Sequence, residues 1–233
     1  MNKTLVFTAT YNESENIEEF VNELFKTSAN IDLLVVDDNS PDKTYDLIKN
    51  FSNKNKNIFL IKREKKLGLN TAHILGYEYA LKNNYEKFIT LDADMSHDPK
   101  EVPKIIDLLD KSPFVIGSRY MRGGKNDMGP LRLFISFFGN SLIKILLKCE
   151  GTEFTTSYRG FNLKNLNNFH FNQIKAKGYS FFMNTVIKLN RMGIKSFEFP
   201  IHFKNRHHGK SKIPKIEILR TLLNVFILYF KKW

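Results

Sequence analysis

Cysteine is almost absent: Cys149 is the single one in 233 residues. One thiol excludes an intramolecular disulfide framework and fits a reducing compartment. The opening segment, MNKTLVFTATYNE, enters a strand-like run at once, without the long apolar stretch of a secretory signal. There is no internal repeat and no low-complexity linker, which speaks against a solenoid or tethered modules. Negative charge is in short supply. Asp and Glu number 24 against 36 Lys and Arg, a formal net charge of +12. That excess favours anionic partners such as nucleic acid, anionic lipid or phosphorylated substrates, although a lysine-rich composition accounts for part of it without any partner. No RNA-recognition, zinc-finger or helix-turn-helix signature occurs, so nucleic acid is set aside.

What is present supports one large core. Apolar residues make up 42% of the chain, and the length suits a single domain over 1–233. The first half alternates strand and helix signals. A short β-rich run at 5–10 and largely apolar runs at 33–36, 58–61, 88–91 and 114–116 predict strands. Helical spacing predicts helices at 15–25 with Ser14 as N-cap, from Asp42 through 51, at 71–81 and at 99–109. Apolar strands without alternation imply a sheet covered on both faces, and strand–helix repetition implies a mostly parallel, doubly wound α/β architecture.

The second half differs. Residues 131–147, LRLFISFFGNSLIKILL, are interrupted by Arg132, Ser136, Asn140 and Lys144, one every four positions, so the polar residues share one stripe of a helix. These interruptions make a poor membrane span. The helix is either buried in the fold or lies in a membrane interface. Residues 216–230 read similarly, broken by Glu217, Arg220 and Asn224 and followed by Lys231, Lys232 and Trp233. That ending suits an interfacial anchor, against the alternative of an ordinary docked helix.

The chemistry concentrates at strand ends, where open α/β sheets bind ligands. Asp37 and Asp38 end the second strand; Asp92 and Asp94 end the fourth. An Asp-x-Asp turn can converge two carboxylates on one hard cation, which can bridge the phosphates of a nucleotide. Asn39-Ser40-Pro41-Asp42 reads as a turn and helix start.

Several strings together resemble a known family. Thr10-Tyr11-Asn12-Glu13 is similar to the opening motif of the family 2 glycosyltransferases of GT-A (Rossmann-like) fold. Residues 35–42, 66–72 (KLGLNTA) and 91–99 (LDADMSHDP) resemble the polyprenyl-phosphate (dolichol-phosphate) mannosyltransferase branch, as do 117–120 (GSRY), Gly123-Gly124 and 206–212 (RHHGKSK). The resemblance covers nearly the whole chain in the family's order.

The resemblance implies roles for residues. Thr10, Tyr11, Glu13, Asp37, Asp38, Lys66, Gly68, Asp92 and Ala93 would hold the nucleotide sugar, with Arg206 and Lys210 closing over its phosphates. Asp92, Asp94 and Ser96 would hold Mg²⁺ or Mn²⁺. Arg119, Arg132 and Ser136 would receive the acceptor phosphate, and Asp94, Arg119 and Arg132 would carry catalysis. Residues 1–118 then form the nucleotide-sugar half, and 119–233 the acceptor and membrane-facing half. The expected reaction is inverting transfer of mannose from GDP-mannose to a polyprenyl phosphate by a peripheral enzyme on the cytoplasmic face of a membrane. UDP-glucose or another donor on the same fold, and an idle membrane-bound nucleotide-sugar binder, stand as alternatives. A phosphate monoester acceptor is already anionic, with a second pKa of about 6, so no strong general base is needed and His97 reads as a loop-ordering residue.

Two departures from the family pattern stand out. Glu153 and Thr156 occupy positions where the family has Asp and often Gly. Phe182 and Asn184 occupy positions where it tends to carry Gln and Glu, which bears on the sugar.

Overall fold

The computed structural model describes residues 3–27, 30–209 and 216–230. Lys210, Lys212, Lys231, Lys232 and Trp233 lie outside the described residues, and with them two expectations: phosphate closure by Lys210 and anchoring by the C-terminal Lys-Lys-Trp.

The expected strands form β1 (Thr4–Thr10), β2 (Ile31–Asp37), β3 (Ile58–Lys62), β4 (Lys87–Thr90) and β5 (Phe114–Ser118). Between them run α1 (Ile17–Phe25), α2 (Thr44–Lys54), α3 (Leu69–Lys82) and α4 (Val102–Leu109), the last entered through a 3-10 turn at Pro99–Glu101. Further on come β6 (Lys125–Asn126), α5 (Pro130–Leu147), β7 (Arg159–Asn162), α6 (Tyr179–Arg191), β8 (Phe197–Pro200), β9 (His202–Phe203) and α7 (Ile216–Phe230). The main sheet has the order β3-β2-β1-β4-β7-β5-β8, and β6 pairs with β9 apart from it.

Alternation along the strands sorts the core into two layers. Leu5, Phe7, Leu34, Val36 and Phe88 face α3, α6 and α7, while Val6, Leu33, Val35, Ile89 and Val115 face α1, α2 and α4. Both faces are thus covered by helices, as continuous apolar strands require.

Pairing is parallel except around β7, which runs antiparallel between β4 and β5. This orientation matters for the site. The carboxyl ends of the parallel strands open on one edge, and the segment entering β7 arrives at that same edge. Gly160 lets β7 lie flat on α4, because a Cβ there would fall 2.5 Å from Ile105 Cγ2.

One expectation is corrected. Ser14 does not cap α1: Asn16 occupies the N-cap position, and the Ser14 amide instead donates to Asp42 Oδ2 at 3.0 Å. Asp42 also accepts from the Thr44 amide at 3.1 Å, satisfying the start of α2 from one residue before its N-cap Lys43.

His73 on α3 is buried edge-on to Phe7 and Phe182, at 4.9 and 5.0 Å between ring centres. Burial pushes its pKa down to about 3, with the Arg159 charge acting the same way. The folded protein holds this imidazole neutral while the unfolded chain takes up a proton near pH 6.5, so stability is lost as pH falls through that value. From pH 7 to pH 5 the loss attributable to His73 is about 2 kcal/mol. Urea melts of wild type and His73→Leu at both pH values check this. The pH difference shrinks by about that amount in the variant, and an unchanged difference means that His73 is protonated in the fold.

Candidate active site

At the edge where the parallel strands end, Asp37 closes β2 and is fully buried. Its Oδ2 accepts from Thr10 Oγ1 at 2.8 Å and Ser40 Oγ at 2.6 Å, and its Oδ1 from the Ser40 amide at 2.9 Å. A carboxylate with so many internal donors holds two strand ends together. The next residue, Asp38, forms a buried ion pair with Arg63, which immediately follows β3. Arg63 also donates to Thr71 Oγ1 at 2.6 Å and the Gly68 carbonyl at 3.1 Å. Burial pushes the Asp38 carboxyl up despite the Arg63 charge. Gly68 reaches this position with φ of +99°, a conformation that other residues rarely adopt. Lys66 stands 4.1 Å over the ring of Tyr11. Glu13 is buried and accepts from Asn16 Nδ2 at 2.8 Å.

The turn after β4 carries the acidic pair. Asp92 Oδ1 accepts from Ser157 Oγ at 2.7 Å. Asp94 Oδ1 accepts from the amide and hydroxyl of Ser96 at 3.1 and 2.5 Å, and its Oδ2 pairs with Arg206 at 3.1 Å. The Asp92 carboxyl is pushed up, first by burial, with the like charge of Asp94 adding to it. Its side chain is nonetheless 42% exposed. Two hard carboxylates and the Ser96 hydroxyl, in a place that disfavours bare negative charge, fit Mg²⁺ or Mn²⁺. Among the described residues no cluster of three His, Cys, Asp or Glu side chains encloses a metal position.

His97 is held by the fold at both nitrogens. The Asp92 amide donates to Nδ1 at 3.1 Å, which places the proton on Nε2, 3.2 Å from Thr156 Oγ1. Burial lowers its pKa although Asp92 and Asp94 oppose this. The ring is a neutral tie between the acidic turn and the segment entering β7. Thr156, one of the departures from the family pattern, supplies that tie. The Arg159 guanidinium stabilises the same segment from below: fully buried, it donates to the carbonyls of Thr156, Phe154 and Phe182 at 2.8, 2.9 and 2.7 Å. Burial lowers its pKa to about 9, leaving it a cation at neutral pH.

Arg119 follows β5 and is nearly buried against Glu153, with Nε donating to Oε2 at 2.8 Å. Tyr120 beside it donates to Ser136 Oγ on α5 at 2.5 Å. The positive charges of Arg119 and Arg132 both act on the Tyr120 hydroxyl, whose pKa burial raises. Arg132, exposed, lies one turn before Ser136 on the same face of α5. The stripe continues inward to Asn140, whose Oδ1 accepts from the Phe154 amide at 2.8 Å.

The opposite side of α5 is bare: Leu131, Phe134 and Ile145 are 73%, 67% and 72% exposed. By length and composition the helix is apolar enough to cross a membrane. Its polar stripe nevertheless fixes it lengthwise on the domain. Helix α7 packs beside it and likewise exposes Leu223, Phe226, Ile227 and Phe230.

Residues 204–209 fold back over the acidic turn. The Lys204 and His207 amides donate to the carbonyls of Ser96 and Asp94 at 3.1 and 3.2 Å, and the His208 amide to Asn16 Oδ1 at 3.1 Å. The structure thus gathers Thr10, Tyr11, Glu13, Asp37, Asp38, Lys66, Gly68, Asp92, Ala93, Asp94, Ser96 and Arg206 at one edge, with Arg119, Arg132 and Ser136 beside them. Sequence reasoning missed Arg63, Ser157 and Arg159. For Arg63 the signal was weak, because it stands among Lys62, Lys65 and Lys66 and nothing local sets it apart from them. Asn184, one of the sugar-position departures, bonds instead to Asn224 of α7 at 2.8 Å.

Residues 5–169 match glycosyl transferase family 2. The chain is 32% identical over 224 residues to an undecaprenyl-phosphate mannosyltransferase of Micrococcus luteus, covering 96% of this chain and 92% of that one. It is 31% identical over 226 residues to a polyprenol monophosphomannose synthase of Mycolicibacterium smegmatis, covering 96% and 85%. A solved glucosyl-3-phosphoglycerate synthase of Mycobacterium tuberculosis, in complex with Mg²⁺ and UDP, shares the fold with a TM-score of 0.66 at 17% identity, over 96% of this chain and 79% of that one.

Proposed function

The chain belongs to glycosyl transferase family 2, with the GT-A fold, and from that premise we propose that it transfers mannose from GDP-mannose to a polyprenyl phosphate, with inversion, at the cytoplasmic face of a membrane. The observation that carries the acceptor class is α5. One helix carries Arg132 and Ser136 on one face, where Ser136 accepts from Tyr120 next to Arg119, and turns bare Leu, Ile and Phe outward. A phosphate on a hydrocarbon chain demands that combination: cations at headgroup depth and apolar side chains below them. The names of the relatives from Micrococcus luteus and Mycolicibacterium smegmatis support mannose and a polyprenyl acceptor.

In this reading residues 1–118 hold the donor and 119–233 face the acceptor and the membrane, within one domain. Asp38 and Arg63 hold the nucleoside end, while Lys66 on Tyr11 and Arg206 on Asp94 frame the diphosphate. Asp92, Asp94 and Ser96 would hold the divalent cation, which when bound would supply charge neutralisation for the diphosphate. Arg119, Arg132 and Ser136 seat the acceptor phosphate. The acceptor oxygen is already ionised, so the residues' task is to bring two anions together in line, and no side chain has to remove a proton. A single displacement from an α-linked donor gives a β-linked mannosyl phosphate.

The test is transfer from radiolabelled GDP-mannose, UDP-glucose and UDP-GlcNAc to a short polyprenyl phosphate in detergent, with and without Mg²⁺ or Mn²⁺. Metal-dependent labelling of the lipid from GDP-mannose alone is the expected result. Labelling from a UDP-sugar retires mannose. Donor binding without any transfer makes the protein an idle binder.

A further inference from the structure

We propose that Glu153, clamped by Glu198, is a positioning residue that sets the guanidinium of Arg119 for the acceptor phosphate; the proposal rests on the function given above. Glu153 is fully buried and spends both oxygens locally. Oε2 takes Arg119 Nε at 2.8 Å. Oε1 takes the amides of Thr155 and Thr156 at 2.9 and 3.1 Å and the Thr155 hydroxyl at 3.0 Å, with Arg119 Nη2 at 3.4 Å. Arg119 Nη2 also reaches Thr155 Oγ1 at 3.2 Å, and the guanidinium lies 4.6 Å over Phe203. The cation is therefore held by Glu153, Thr155 and the ring of Phe203.

The anchor of this arrangement is on β8. Glu198 Oε1 accepts from the amides of Thr152 and Glu153 at 2.7 and 2.9 Å, and Oε2 from the Thr152 hydroxyl at 2.7 Å. Thr152 Oγ1 lies 2.7 Å from Ser118 Oγ, which in turn accepts from the amides of Tyr120 and Met121 at 3.2 Å. One carboxylate thus locks the backbone on which Glu153 stands to the backbone that flanks Arg119. A buried ion pair is weak evidence for a stabilising role, because desolvation offsets much of the attraction. A doubly braced buried pair, adjoining Tyr120 and its partner Ser136, points to orientation, which catalysis of two anions meeting demands.

The test measures acceptor KM, kcat and GDP affinity for wild type, Glu153→Gln and Glu198→Gln, and repeats Glu153→Gln in an Arg119→Lys background. Expected are an acceptor KM raised about tenfold or more in Glu153→Gln and less in Glu198→Gln, GDP affinity by calorimetry within about twofold of wild type, and little further effect of Glu153→Gln once Arg119 is replaced. GDP binding certifies the fold; if Glu153→Gln does not fold, Glu198→Gln, which leaves the ion pair in place, carries the test. Equal loss of donor and acceptor binding, or full additivity with Arg119→Lys, overturns the relay. Wild type that transfers to the lipid while the variants keep its acceptor KM overturns the relay alone, whereas wild type without transfer overturns the assigned function and this role with it.

Discussion

Asp94→Asn reduces sugar transfer by about a thousandfold or more and leaves the fold standing. The substitution keeps an oxygen for the Ser96 amide and hydroxyl, both of which donate to Oδ1. It removes the charge that pairs with Arg206 through Oδ2 and that would bind the cation. Neutralising a leaving diphosphate is worth several kcal/mol, and each 1.36 kcal/mol is a factor of ten in rate, so about 4 kcal/mol accounts for the loss. Stability moves little or upward, because Asp92 is relieved of a like charge beside it. Thermal melts give a readout independent of turnover. Wild type gains melting temperature with Mn²⁺ and GDP together, and Asp94→Asn gains little from adding Mn²⁺ to GDP. A variant that keeps a tenth of wild-type activity removes Asp94 from the metal site.

The strand-end carboxylates were legible in the sequence for a physical reason. Strands β1 to β4 are rich in apolar and β-branched residues, and Asp37 ends β2 while Asp92 and Asp94 follow β4 within four residues, at the edge where parallel sheets bind ligands. Runs of this kind leave no doubt about where the strand stops, so Asp37, Asp38, Asp92 and Asp94 fall at predictable places. Helix boundaries were less secure. The α1 start moved from 15 to Ile17 because Ser14 and Asp42 serve each other rather than the helix end.

The segment around β7 was harder to read because long-range contacts build it. Strand β7 has four residues, one of them Arg159 and another Gly160, and nothing local marks it as a strand. It exists because β4 and β5 leave a slot between them, and because three carbonyls surround a guanidinium that would otherwise be prohibitive to bury. Glu153 and Thr156 looked like blemishes on a family pattern. In the fold one braces Arg119 and the other ties His97 to the same segment. Phe182 lies buried under His73 and Asn184 bonds to Asn224, so helix packing engages two positions that sequence comparison had linked to the sugar.

Replacing Phe134, Phe138 and Ile145 together with Ser detaches the protein from lipid vesicles while leaving its fold and its active site intact. All three side chains stand in water on the outer face of α5. Removing them costs the folded state little, since exposed substitutions usually change stability by less than about 0.5 kcal/mol each. On a bilayer the same side chains leave water. Full burial of a Phe or Ile is worth about 1.5–3 kcal/mol, and partial insertion roughly half of that. Three of them sum to about 3–4 kcal/mol, a loss of several hundredfold in vesicle affinity. Sedimentation with anionic vesicles, at low and high salt, separates this from attraction by the net charge of +12. Charge attraction fades as the screening length shortens from about 10 Å at 0.1 M to about 3 Å at 1 M salt, whereas apolar insertion does not. The variant should therefore bind weakly at low salt and not at all at high salt, and wild type should persist at both. Transfer to a short, water-soluble prenyl phosphate stays near wild type, because Arg132, Ser136 and Asn140 are untouched on the inner stripe. If vesicle binding survives the triple replacement at high salt, α5 is not the face that meets the membrane.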